Sequence, residues 1–183
     1  MWFSPRVTIR RILDSEVRPG WIPVVALAMA SAAISSLQVD EGGALSVSRS
    51  ATPVLMSALQ LVFGVLIGPF LMAIVGGWLG GEAEPSDLRE AVAWSYVPVA
   101  ASSLLWIPIL LTLGTRAFGD GAQPLVGVEW LGVPLMIAVG LSYGWSIPLL
   151  IGGLAAAQGF SVAKAILYFV ILLVPLLILT AIG

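Results

Sequence analysis

The chain has 183 residues, 59% apolar and 10% charged, with no cysteine, no histidine and a formal net charge of −2. A soluble domain is roughly half apolar and a quarter charged, so this composition, with a mean hydropathy of +1.05, calls for lipid. The inventory excludes disulfides, thiolate or imidazole metal sites, haem ligation and Ser–His or Cys–His catalysis, and the small net charge offers no footprint for nucleic acid.

Residues 1–20 form a cytoplasmic N-terminal segment with Arg6, Arg10, Arg11 and Arg18 scattered through it, which is not the layout of a cleaved signal. Ser4-Pro5 opens a short helix running to about Val17. Ile9, Ile12 and Leu13 gather on one side of it, while Arg10, Asp14 and Arg18 are spaced for i,i+4 pairs on the other; Val7 and Glu16 break the pattern. Such a segment lies along the headgroups of the cytoplasmic leaflet, with Trp2 and Phe3 as anchors.

Beyond it, charges punctuate the chain, because a charged side chain at mid-bilayer costs about 2.5–3.5 kcal/mol or more. Five charge-free stretches each hold the ~20 apolar residues needed to cross a ~30 Å hydrocarbon core. They predict spans at about 21–38, 53–80, 90–114, 131–157 and 162–182. The runs are continuously apolar and too long for alternating strands, so the predicted fold is an all-α integral membrane protein. Its five-transmembrane-helix bundle (21–183) follows a short interfacial amphipathic helix. Thr52-Pro53 is expected to open the second span, Asp87 with Glu90 to form a capping box for the third, and Ser161 to cap the fifth. Lys and Arg in the short loops number six on the side of the N-terminus and two on the other, which places the N-terminus in the cytoplasm and the C-terminus on the opposite side of the membrane.

Prolines at 69, 98, 108, 134, 148 and 175 fall within spans, where each removes a backbone bond and tends to kink its helix. Small residues recur four apart at Gly64/Gly68, Gly76/Gly80, Gly77/Gly81, Gly140/Gly144 and Gly152/Ala156, a spacing that lets helices pack within the chain or form a homo- or hetero-oligomer. Away from the ends of the spans there is no Asp, Glu, Lys or Arg, which argues against a proton-coupled pump. The polar groups left there include Gln60, Ser103, Thr112, Ser142 and Ser146, expected to hydrogen-bond between helices, and a candidate intramembrane cluster of Ser95, Tyr96, Ser102 and Tyr143. In the cytoplasmic loop Glu82, Glu84, Asp87 and Glu90 make, with Arg10 and Arg11, a candidate partner surface; solvated charge near a helix N-terminus explains the same residues without a partner. No catalytic, cofactor or metal site emerges.

Three segments carry a family resemblance: Ser-Pro-Arg-Val-Thr-Ile-Arg-Arg-Ile-Leu-Asp (4–14), Leu-Arg-Glu-Ala-Val-Ala-Trp-Ser-Tyr-Val-Pro-Val (88–99) and Gly-Leu-Ala-Ala-Ala-Gln-Gly-Phe-Ser-Val-Ala-Lys-Ala (153–165). In this order along five spans they resemble a bacterial member of the Yip1 family. The resemblance implies a five-helix membrane domain with a cytoplasmic N-terminus. For eukaryotic relatives it implies vesicle traffic and Rab-type GTPase partners, a role that transfers poorly to a chain with about 20 residues before its first span and no Tyr-Gly-Pro motif. The expected function is a non-enzymatic multipass inner-membrane protein that organises membrane or partner proteins at the cytoplasmic face. The alternative is a small oligomeric transporter, channel or lipid-translocating unit built on proline-bent helices two to four.

Overall fold

The computed structural model describes residues 5–15, 20–38, 45–114 and 129–182. Trp2 and Phe3, the expected anchors, Arg18, and Arg116, one of the two basic residues counted on the side opposite the N-terminus, lie outside them. All regular structure among these residues is helical: α1 (Pro5–Leu13), α2 (Ile22–Ser35), α3 (Val47–Val62), α4 (Gly68–Trp78), α5 (Pro85–Ser95), α6 (Val97–Ser102), α7 (Trp106–Leu113), α8 (Glu129–Ala157) and α9 (Val162–Ile182).

Proline decides where the apolar runs bend. A π-helical segment, Phe63–Ile67, joins α3 to α4 directly before Pro69, which has no N–H for the Val65 carbonyl; the wider turn accommodates that loss. A 3₁₀ segment, Ser103–Leu105, likewise precedes Pro108, and α5 gives way to α6 just before Pro98. Pro134 and Pro148, by contrast, are absorbed within an uninterrupted α8. Three helical runs are long and apolar enough to cross a membrane: Val47–Trp78, Pro85–Thr112 and Gly132–Ala157. The apolar stretches Ile22–Ser35 and Val162–Val174 are shorter.

The helix starts differ from expectation in two places. Thr52-Pro53 lies inside α3, which begins at Val47 because Ser46 Oγ accepts a bond from the Arg49 amide at 3.4 Å. No capping box opens the third run: Pro85 takes the first helical position of α5, where its missing N–H is no loss, and Glu90 turns its carboxylate to the Trp94 indole instead. Ser161 does cap α9, with the Lys164 amide 3.3 Å from its hydroxyl.

The helices belong to two compact units. The first comprises Met1–Trp21, Phe63–Ser95 and Ile147–Gly183, the second Ile22–Val62 and Tyr96–Ser146. The core of the first is Leu88, Leu154, Ala155, Phe160, Ala165 and Tyr168, with the Tyr168 hydroxyl donating to the Met72 carbonyl and the Phe160 and Tyr168 rings meeting edge to face, centroids 5.8 Å apart. Gly153 brings α8 against α5, since a Cβ there would stand 3.2 Å from that of Ala91. In the second unit Ala28, Val99 and Ala100 pack α2 against α6, and Trp106, Ile109 and Val139 form a further cluster.

Candidate functional site

Helix α1 does not turn its apolar face to lipid. Ile9, 2% exposed, packs with Ala91 of α5 and Ala156 of α8, while Ile12 and Leu13 cover the edge of that contact. Arg6 fixes the angle by donating from its guanidinium to the Phe160 carbonyl at 2.9 Å. That carbonyl lies just past the end of α8, where the helix dipole favours a cation. The helix is amphipathic as predicted, but its apolar stripe is spent on the protein. Arg10 and Arg11 remain exposed.

The same unit joins the turns at 79–84 and 158–161. Helix α4 ends in a Schellman motif, in which the Gly81 amide donates to the Gly76 carbonyl (2.9 Å), the Gly80 amide donates to the Gly77 carbonyl (2.9 Å), and Gly80 takes a positive φ of 72°. Helix α8 ends the same way, with the Phe160 amide on the Ala155 carbonyl at 3.0 Å and Gly159 at φ 68°. Gln158, 4% exposed, projects from the second turn into the first, and its Oε1 accepts the Ala83 amide at 3.3 Å. Gly76 and Gly81 flank the amide so closely that a Cβ on either would lie under 3 Å from it.

The predicted cytoplasmic partner surface therefore splits. Glu82 and Glu84 are exposed and Asp87 is half-buried, but Glu90 is only 6% exposed and accepts the Trp94 indole N–H at 3.0 Å, so it belongs to the packing of α5. Among the described residues no group of three carboxylates is disposed to hold a metal ion. The Lys164 ammonium and the Arg89 guanidinium lie over the Phe160 and Phe70 rings, 4.4 and 5.9 Å from the centroids, as cation–π contacts.

The predicted intramembrane polar cluster divides as well. Ser95 and Ser102 are buried and donate to the carbonyls of Val92 (2.6 Å) and Val99 (2.7 Å) in their own helical turns. Ser102 also meets Ser31 Oγ at 2.9 Å, and Ser31 accepts the Trp106 indole N–H at 3.3 Å, so this pair fastens α2 to the α6–α7 region. Ser103, Thr112, Ser142 and Ser146, expected to bond between helices, donate instead to carbonyls three or four residues back in their own helix.

Tyr96 and Tyr143 do come together, in the second unit, around a partly open cavity of about 280 Å³. Ser35, Ser57 and Gln60 add polar groups to its wall, and Ala32, Leu61 and Val99 supply the apolar remainder. Ser35 and Ser57 donate to the Ala32 and Pro53 carbonyls, Ser57 meets Ser36 at 2.8 Å, and Ser35 and Tyr143 stand 3.5 Å apart. Among the described residues no charged one lines the space. Sequence reading passed over Ser35, Ser57 and the placement of Gln60, since hydroxyls and amides in apolar helices look alike until the helices are packed.

The Yip1 domain model matches residues 1–183, the whole chain. This chain belongs to the Yip1 family. Yip1 proteins are multipass membrane proteins, in keeping with the three long apolar helices. No curated protein and no solved structure matches this Yip1-family chain.

Proposed function

We propose that this Yip1-family chain is a five-span protein of a bacterial inner membrane, N-terminus in the cytoplasm and C-terminus in the periplasm, that organises membrane or partner proteins without catalysis. Its working surface is the end of the first unit formed by α1 and the two loop turns. The docking of α1 carries the reading: Ile9 and Arg6 hold this helix on α5 and α8, so Arg10 and Arg11 are presented from a fixed element in the unit that also exposes Glu82 and Glu84. A preformed surface loses little ordering entropy on binding, which suits a docking platform. The N-terminal helix and both loops that the charge count assigns to the cytoplasm meet in this one unit, which supports the proposed orientation. Anionic headgroups and protein partners are the natural counterparts of such mixed charge.

The chain has no cysteine, so single Cys substitutions at Arg11 and Glu84 allow site-specific cross-linking in native membranes. The expected result is one and the same protein captured from both positions, and its loss when Ile9→Asp undocks α1. Recovery of lipid alone from both positions would overturn the platform.

One observation favours a second reading, a small transport or lipid-translocating unit: the cavity beside Tyr96 and Tyr143, on two of the three long helices. Flux of a solute through reconstituted vesicles tests it directly.

A further inference from the structure

We propose that the cavity of the second unit is a binding site for the uncharged, hydroxyl-bearing head of a neutral glycerolipid of the diacylglycerol class, entered from within the bilayer. The inference goes beyond the docking platform and shares no residue with it.

Depth comes first. Gln60, Tyr96 and Tyr143 lie on the three long apolar helices, each eleven or more residues from either end. That separation is roughly 16 Å of helix rise, which puts these three groups at the level of hydrocarbon, while Ser35, the last residue of α2, forms the shallower side of the cavity. Lipid is the medium beside these three groups.

The wall is also unsatisfied. Among the described residues neither the Gln60 amide nor the Tyr96 hydroxyl has a hydrogen-bond partner, and Gln60 is exposed on its helix. An amide with two donors and an acceptor is strongly disfavoured in hydrocarbon unless something polar meets it. Tyr143, 39% exposed, has only the long 3.5 Å approach to Ser35. The ligand that completes this wall brings both donors and acceptors, as a hydroxyl does.

Charge and size narrow the class. With no acidic or basic side chain in the lining among the described residues, a phosphate or ammonium head would enter uncompensated, at a depth where an isolated charge is excluded. At about 280 Å³ the space falls just below the range of pockets that enclose a whole drug-sized ligand, so it suits a head and the first atoms of its chains. The cavity is partly open, and Met56 and Leu59, next in sequence to Ser57 and Gln60, are exposed apolar side chains along which acyl chains can lie.

The test is thermal unfolding of the purified protein in detergent micelles, titrated with dioctanoylglycerol and, separately, with the matched dioctanoyl phosphatidic acid. Dioctanoylglycerol is expected to raise the melting temperature saturably, and the phosphatidic acid, with the same chains and an anionic head, to have no saturable effect. Gln60→Leu and Tyr96→Phe should each weaken the glyceride by about three- to tenfold, the loss of one good hydrogen bond. The ligand-free Gln60→Leu protein should melt no lower than the parent, which separates lost binding from lost folding. Equal stabilisation by phosphatidic acid, no saturable stabilisation by the glyceride, or undiminished binding in both variants would each overturn the assignment and leave a hydrated space.

Discussion

Replacing Gly76 by alanine tests the joint between the two loop turns. The new Cβ would stand under 3 Å from the Gln158 amide, so one of the two must move. Gln158 is the more flexible partner, but displacing it breaks the bond from the Ala83 amide to Oε1, a loss of about 0.5–1.5 kcal/mol, and residual crowding adds to that within the 1–3 kcal/mol or so typical of overpacked sites. Against this, alanine in a helix is favoured over glycine by about 1 kcal/mol. The expected net cost of Gly76→Ala is therefore about 0–2 kcal/mol. In a Gln158→Ala background the obstacle is gone, only the propensity term remains, and the same substitution should become neutral or stabilising. The coupling in the double-mutant cycle should reach about 1–3 kcal/mol. Gly77→Ala, where nothing lies within 4 Å, is the matched control and should not destabilise. Reversible unfolding in mixed micelles reads all four proteins of the cycle. Equal cost of Gly76→Ala in both backgrounds would refute the claim that Gln158 is what requires the glycine.

Three further outcomes follow from the packing. Ile9→Asp places a charge in the contact with Ala91 and Ala156 and should release α1, seen as accelerated tryptic cleavage at Arg10 and Arg11 while the α8–α9 region stays protected. Glu90→Ala strands the Trp94 indole N–H and should cost about 1–3 kcal/mol, whereas Glu90→Gln, which keeps an acceptor, should cost less; chemical unfolding measures both. Gly140 and Gly144 have nothing near the place a side chain would occupy, so if this face joins two copies, leucine at both positions should abolish dimer cross-linking in membranes without lowering monomer stability.

Much of the helical plan was legible because lipid imposes it. Backbone polar groups must be satisfied within each segment and charges must stay at the ends, so charge-free apolar runs had to be helices, and the sites of Pro69, Pro98 and Pro108 marked real irregularities in them. The Ser161 cap was legible for a local reason, since a hydroxyl reaches only an amide two or three residues on. The opening of α3 was misjudged because Thr52-Pro53 and Ser46 offer equally good local signals, and the helix extends back to the earlier one, where Ser50 Oγ can also take the Gln38 amide at 2.9 Å.

Sequence alone determined the class of the protein, the absence of charge from the middle of its apolar runs, the amphipathic character of α1 and, through three ordered segments, the family to which it belongs. All of these depend on composition or on residues close together in the chain. Tertiary structure decided what the polar groups do. Glu90 went to Trp94, Ser102 to Ser31 and Gln158 into the space beside Gly76 and Gly81, while Gln60 and Tyr96 came to wall the same cavity. Hydrogen bonds act over about 3 Å and carry no memory of sequence separation. Which hydroxyl or amide is satisfied and which is left to meet a ligand is therefore settled only when the helices are in place.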